Sequence, residues 1–258
     1  MTDLHCHILP GMDDGAKDIE ASLGLLLMEK ENGVDRIVFT PHYLCEKEGI
    51  ASFLKRRDTS FALLAEAWEK AGNKEKLSFL LGAEVKYSPA LTEQGVKGGS
   101  LRDLCFTGTS YMLLELPFTQ KPAFFKEVVY DLQMAGITPV IAHVERYPYL
   151  LDDLTELYEL VEMGLVIQTN ANTVSAGDKV SAQMLKLIKW ELVHVVSTDA
   201  HSLHRRPARL KGAYDVIANK LGEDILKKVS ENGDRIFSGE DIIVESIHQP
   251  KKVLGRWI

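Results

Sequence analysis

Val193-His194-Val195-Val196-Ser197-Thr198-Asp199-Ala200-His201 is a β-branched apolar run that ends in a carboxylate and an imidazole two residues apart. The same arrangement recurs along the chain. Asp3-Leu4-His5-Cys6-His7 opens it, Ile37-Val38-Phe39 runs into Thr40-Pro41-His42, and Leu77-Ser78-Phe79-Leu80-Leu81 runs into Gly82-Ala83-Glu84. Tyr111-Met112-Leu113-Leu114 ends in Glu115, and Pro139-Val140-Ile141-Ala142 ends in His143. Short runs of this kind read as buried parallel strands. In barrel folds the C-terminal ends of the strands converge on one face. One repeated placement therefore delivers imidazoles and carboxylates to a common point, a composition suited to a multi-metal site and to hydrolysis.

Seven strand-like runs lie at 2–6, 36–40, 77–83, 111–115, 138–142, 165–169 and 193–198. Six of them precede a helical pattern. Helices are expected at 17–33, 52–72, 123–135, 153–163 and 180–190, with two more at 207–221 and 223–231 in the tail. The first places Ile19, Leu23, Leu26 and Leu27 on one face and stops at Gly33; the second carries Phe53, Leu54, Phe61, Leu64 and Trp68 as its apolar stripe. Residues 95–105 are weakly patterned. The alternation predicts an α/β fold with a parallel sheet. Chemistry-bearing residues at nearly every strand end favour a closed (β/α) barrel over an open sheet. No linker or low-complexity stretch divides the chain, so residues 1–258 read as a single domain.

A formal charge of −7 argues against general electrostatic binding of nucleic acid. Lys55-Arg56-Arg57 is a local basic spot, read as a solvated helix face. Cys6, Cys45 and Cys105 form a sparse, odd set without a Cys-x-x-Cys pair, which points to a reducing compartment. None lies in a phosphate-cradling loop, and alternation along the strand turns Cys6 away from its histidine neighbours, into packing. Neither a secretory signal nor a membrane-spanning run is visible, so a cytoplasmic protein without membrane insertion is expected.

His-x-His on a strand puts both imidazoles on one face, where they can chelate one cation, and Asp199-x-His201 does the same from another strand. Glu84 and Glu115 are acids in a buried-strand context, where an unpaired carboxylate is costly and a bound cation removes the difficulty. Mixed imidazole and carboxylate donors suit Mn, Fe or Zn, and the absence of thiolate ligands speaks against a structural zinc site.

The set Asp-x-His-x-His, Leu-Pro-Gly-x-Asp-Asp-Gly, Thr-Pro-His-Tyr, Gly-Ala-Glu, Leu-x-Glu-Leu-Pro, Ala-His-x-Glu-Arg-Tyr, Gln-x-Asn-Ala-Asn and Asp-Ala-His, spread from residue 2 to about 240, resembles the PHP superfamily (polymerase and histidinol phosphatase). Within it, the chain is similar to the bacterial manganese-dependent protein-tyrosine phosphatases of capsule and exopolysaccharide synthesis. The resemblance implies a distorted seven-stranded (β/α) barrel with a trinuclear metal site at the C-terminal ends of the strands. One metal would take His5, His7, Glu84 and Asp199. A second would share Glu84 and take Glu115 and His143, and a third would take Asp14, His42 and His201. The acids at 14 and 115 match the tyrosine-phosphatase branch, and Arg146 and Arg206 match the arginines that contact the substrate phosphate. Val144 and Ser202 depart from the family pattern, which more often has Pro and Asn there; neither is a ligand.

The implied activity is hydrolysis of phosphotyrosine on a protein, with the tail of a bacterial tyrosine kinase as the expected partner. Clustered divalent ions, manganese first and iron or zinc next, would cancel the charge of the phosphate dianion and activate a water. A phenolate with a pKa of about 10 leaves with little help, so no general acid is assigned, although His204 and Tyr147 lie in the motifs. A small-molecule phosphatase of the histidinol-phosphate kind would share the metals. A metal-dependent amidohydrolase would add a bridging lysine or acid, and Lys86 alone stands near a strand end. A non-catalytic, metal-bound regulator of a tyrosine kinase would have no need of an activated water.

Overall fold

The computed structural model describes residues 1–72, 77–88, 90–91, 101–253 and 256–258. Parallel strands alternate with helices, as the pattern requires. β1 (Thr2–Cys6) pairs with β2 (Arg36–Phe39), and β2 pairs with β4 (Ser78–Leu81). A six-stranded sheet follows in the order β3 (His42–Tyr43), β5 (Glu84–Lys86), β6 (Tyr111–Glu115), β7 (Thr138–Ile141), β8 (Val166–Asn170) and β9 (Val195–Ser197). The ends of β9 and β1 also meet. Cys6 bridges Ala200, His7 N–H donates to Ala200 O at 2.8 Å, and Asp199 N–H donates to His5 O at 2.8 Å.

Two of the expected strands are broken in the middle. The run 36–40 stops at Phe39 and resumes at His42, and the run 77–83 stops at Leu81 and resumes at Glu84. Pro41 has no N–H for a ladder, and Gly82 has no side chain to pack. Gly82 N–H to Phe39 O (2.9 Å) and Glu84 N–H to Pro41 O (3.1 Å) carry the chain across the break. The first halves thus pair in the three-stranded sheet and the second halves in the six-stranded one. Glu84 begins β5 instead of ending a longer strand, and it stands beside His42 in register.

The helices are α1 (Ile19–Glu31), α2 (Ile50–Lys70), α3 (Phe125–Met134), α4 (Pro148–Leu151), α5 (Leu154–Glu162), α6 (Ala171–Ser175), α7 (Lys179–Lys189), α8 (Leu210–Leu221) and α9 (Glu223–Phe237). Local chemistry sets their ends. Asp18 and Asp178 accept from the N–H groups of Ala21 (2.9 Å) and Ser181 (2.8 Å), satisfying donors that a helix start leaves unpaired. Gly33 (φ 77°) and Gly164 (φ 88°) take left-handed backbone after α1 and α5, which glycine adopts without steric cost. The last helix runs on to Phe237, beyond the expected 231, because Val229 and Ile236 are buried beneath it. Residues 101–104 of the weakly patterned stretch form a short 3-10 turn and Cys105 after it is buried; residues 95–100 lie outside the described residues.

Alternation divides the apolar residues between two cores. Ile37, Phe39, Met112, Leu114 and Ile141 pack with the helices. Leu4, Val38, Leu113, Val140, Val166 and Val195, on the other face, form a second cluster with Phe106 and Ile236. Cys6 is buried in the first, its thiol against Val38 O. The basic triplet is not uniformly solvated. Arg57 is buried, reaches Gly82 O at 3.2 Å and Asp103 O at 3.5 Å, and lies over the Phe53 ring. It donates to one carbonyl at the strand break and to one in the short turn at 101–104. Among the described residues no helix is long and apolar enough to cross a membrane.

Candidate metal centre

The nine residues expected as ligands come together, His5, His42, Glu84 and Glu115 from within strands and the others from the segments that follow strands. His5 and His7 point the same way from β1, with Nε2 atoms 3.1 Å apart. Glu84 Oε2 lies 3.4 Å from His5 Nε2, 3.1 Å from His7 Nε2 and 2.9 Å from His42 Nδ1, and Glu84 Oε1 lies 2.7 Å from His143 Nε2. Glu115 Oε1 is 3.7 Å from His143 Nε2. Asp14 Oδ1 stands 3.5 Å from Nε2 of both His42 and His201. Asp199 Oδ1 is 3.4 Å from His5 and 3.5 Å from His7 and His201. Most of the set is buried; Asp14, with its side chain 67% exposed, marks the open side.

Four overlapping groups of donor atoms could each hold an ion: His7, Asp14, His42 and His201; His5, His7 and Glu84; His5, His143 and Asp199; and His42, Glu84 and Glu115. This grouping is denser than the one expected, since His7 also reaches the Asp14 group and His42 reaches Glu115. The hydrogen bonding fits a cation. Glu84 Oε2, Asp199 Oδ1 and His201 Nε2 are buried and have no hydrogen-bond partner, although all three face the cluster. Buried polar atoms are normally satisfied, so three unsatisfied atoms converging on one point call for a ligand.

The electrostatics agree. Burial alone would lower His7, but its bond to Asp13 and the nearby Glu84 carboxylate outweigh this and push it up to about 10. His201, with its ring centroid 3.8 Å from that of His7, is driven down to about 3 by burial and by His7. Glu84 is held well below the carboxylate range despite its burial, because His5, His143 and His42 surround it. Glu115 is raised, first by burial and then by the charge of Glu84. Crowded imidazoles cannot all be protonated, and a divalent cation would replace the missing protons.

Several residues that lie in the same motifs but were not expected as ligands hold these donors. Asp13, rather than its neighbour Asp14, accepts from His7 Nδ1 (2.8 Å), His42 N–H (2.9 Å) and Gly15 N–H (2.9 Å). Gln168 Oε1 lies 3.3 Å from His5 Nδ1 and accepts from His143 N–H at 2.6 Å. Asp3 accepts from Thr198 N–H (2.9 Å) and Thr198 Oγ1 (2.5 Å), tying β1 to the segment that carries Asp199. Tyr147 is a support, not a free acid: its buried hydroxyl accepts from Leu116 N–H (2.9 Å) and meets His143 Nδ1 (3.2 Å). His143 (φ 32°) and Asp199 (φ 53°) both occupy left-handed backbone, strained for residues with a side chain. The Asp199–His201 pair therefore sits on a bend past β9, not on the strand itself.

Arg146 and Arg206 converge on one atom. Asp199 Oδ2 accepts from Arg146 Nη2 (2.6 Å), from Arg206 Nη2 and from Asn170 Nδ2 (2.9 Å). Glu145 anchors the turn that carries Arg146, accepting from Thr169 Oγ1, Asn170 N–H and Thr173 Oγ1. Ser202 Oγ accepts from the N–H groups of Arg205 and Arg206, so this departure from the family pattern still fixes the loop. Both arginines line an open cleft of about 410 Å³, with exposed His204 at its edge.

Comparison with known proteins follows the same lines. The profile of a family described as capsular polysaccharide synthesis, CpsB/CapC, matches residues 1–238. The tyrosine-protein phosphatase YwqE of Bacillus subtilis is 31% identical over 246 residues, covering 94% of this chain and 93% of its own. The tyrosine-protein phosphatase CpsB of Streptococcus pneumoniae is 33% identical over 258 residues, covering 94% of this chain and 100% of its own. A crystal structure from work on those two proteins, described as unique metal-dependent tyrosine phosphatases, superposes with a TM-score of 0.83 at 30% identity, covering 94% of this chain and 96% of that one.

Proposed function

Because the chain belongs to the CpsB/CapC family of capsular polysaccharide synthesis, we propose that it is a metal-dependent protein-tyrosine phosphatase working at the cluster around Glu84. The observation that carries the reading is the convergence of unsatisfied donor atoms on a point bordered by two arginines. His5, His7, Glu84 and Asp199 would hold one divalent ion, Glu84, Glu115 and His143 a second, and Asp14, His42 and His201 a third. Manganese suits this donor set, with iron and zinc as the next fits. When bound, such ions neutralise phosphate charge and lower the pKa of a water.

The protein's own residues do the rest. Each guanidinium spends one N–H on Asp199 and keeps others for phosphate oxygens. Asp199 thus sets the arginines in place before substrate arrives, which reduces the entropy lost on binding. His204 stands exposed in the cleft, but a phenolate of pKa about 10 can leave without a dedicated acid. We further read the two sheets as a distorted seven-stranded barrel forming one domain. Support comes from the inner apolar cluster, which draws on six strands, and from the hydrogen bonds that join β9 to β1. We take the tail of a cytoplasmic tyrosine kinase as the substrate, a reading supported by the family's description as capsular polysaccharide synthesis.

The test compares phosphotyrosine and phosphoserine peptides of one sequence, with and without chelator, alongside elemental analysis. Rapid cleavage of the phosphotyrosine peptide alone, lost on chelation and restored by manganese, is the expected result, with about three ions per chain. Equal rates on both peptides would remove the tyrosine-specific reading.

A further inference from the structure

A second open cleft, about 550 Å³ in volume, meets the cluster from the Asp14 side. Its inner end carries Asp14, His42 and Glu115, and its walls include Met12, Leu44 and Phe118. The volume far exceeds what a phosphate group needs. Phe118 is the informative wall. It follows β6 by three residues, and 43% of it is exposed although it is a large aromatic. It is nevertheless held. Its ring lies 6.1 Å from that of Tyr147 in a stacked arrangement (19° between planes), 5.8 Å from that of His143, and beneath the Arg146 guanidinium at 5.9 Å. Tyr147 and His143 are themselves fixed by the hydrogen bonds of the centre. An exposed aromatic ring that is rigidly positioned beside reactive groups is pre-organised for another ring.

We propose that this cleft is an aryl slot: the phenyl ring of the phosphotyrosine side chain lies against Phe118, with Leu44 and Met12 completing an apolar wall, while the phosphate sits at the cluster and the two arginines. This rests on the phosphatase reading above and assigns its ring specificity. The arginines and metal ligands meet only phosphate, so they cannot distinguish an aryl ester from any other. Phe118 can, because it touches Arg146 on one side and lines the cleft on the other. Exposed Lys47 and Lys86 and the Arg56–Glu48 ion pair make much of the remaining lining charged, so the apolar contact open to a ring comes from Phe118, Leu44 and Met12.

The experiment uses the manganese-loaded full chain and a Phe118→Ala variant. Because the side chain is substantially exposed, the variant should fold, and its thermal midpoint checks this. Phosphotyrosine peptide and p-nitrophenyl phosphate should show a KM raised about 5- to 10-fold, the size of one aromatic contact, with kcat changed much less. Acetyl phosphate, which has a good leaving group and no ring, should be cleaved as before. Inorganic phosphate should inhibit both proteins equally, while phenylphosphonate, measured by calorimetry, should bind the variant more weakly. Phe118→Tyr should restore aryl KM. Equal losses on acetyl phosphate and on phosphate inhibition would overturn the slot, since Phe118 would then act only by positioning Arg146 or His143. Unchanged aryl KM in an active variant would overturn it too, leaving the phosphatase reading intact. A wild-type enzyme that cleaves no aryl phosphate would remove both.

Discussion

Asp13→Asn separates the carboxylate that supports the centre from the one that joins it. In the folded protein Asp13 satisfies three donors: Oδ2 serves His7 Nδ1 and His42 N–H, and Oδ1 serves Gly15 N–H. Asn has a single oxygen. If that oxygen stays on His7 and His42, the new amino group faces Gly15 N–H, a donor against a donor. If it turns, His7 Nδ1 loses its acceptor. A hydrogen bond to a charged group contributes about 1.5–3 kcal/mol, and an unsatisfied buried donor costs about 1–3 kcal/mol. At about 1.4 kcal/mol per decade, even the lower ends of these ranges, about 1–1.5 kcal/mol for whichever contact is lost, weaken metal binding roughly 5- to 12-fold. Removal of other groups behind metal-bound histidines costs about 10- to 100-fold as well. Chelator-stripped protein should be titrated with manganese against a competing chelator, and kcat followed on p-nitrophenyl phosphate at saturating metal. The expected variant binds metal weakly and recovers much of its kcat when metal is in excess. A variant that binds manganese within about twofold of wild type would refute the reasoning, because the Asp13–His7 bond would then have no energetic role.

Other perturbations read different parts of the molecule. His194 is buried, accepts Ile167 N–H on Nδ1 at 3.0 Å, and is pushed by burial down to about 4. The unfolded chain therefore binds this proton first, so the stabilisation is complete above about pH 6.5 and falls by about 3 kcal/mol as pH drops toward 4. Urea unfolding of metal-free His194→Asn should show a shallower loss across that window than wild type, and parallel curves would count against it. Glu84→Ala should abolish phosphotyrosine turnover and reduce bound manganese, whereas Cys6→Ser, altering a thiol packed against Val38 O, should keep most of both; the reverse result would point to thiol catalysis. A Cβ at Gly15 would stand 2.1 Å from His7 O. Gly15→Ala should therefore displace the Asp13–Asp14 turn, lowering thermal stability and cutting activity at least about tenfold; unchanged melting and turnover would show the turn to be pliant.

The ligand positions were legible because each follows an apolar run, and a charge at the end of a buried strand needs a reason to be there. The breaks in two strands were also written, in Pro41 and Gly82, but a continuous apolar pattern on either side masked them. Gln168 and Asn170 left a weaker trace: two amides inside the β8 run are costly unless bonded, yet nothing local says to what. Asp13 and Asp14 are indistinguishable as letters, and only the turn at Gly15 decides which one backs His7. Arg57 is hidden for a related reason. Its triplet looks like a solvated face, while the carbonyls it serves, Gly82 and Asp103, lie 25 and 46 residues away. Phe118 carries no sequence signal at all, since its role depends on what stacks around it.

The junction of β1 with the Asp199–Ala200 bend also orders events during synthesis. His5 and His7 are made first, but the bend that hydrogen-bonds to them, and the His201 that completes the cluster, follow about 200 residues later. At about 5–20 residues per second, the nascent chain carries an isolated His-x-His pair for roughly 10–40 s. Two imidazoles alone hold a cation loosely. The full donor set forms only when β9 closes against β1, so the identity of the bound metal is settled only after His201 has been made, when the geometry can select among the ions that the early pair would have sampled indiscriminately.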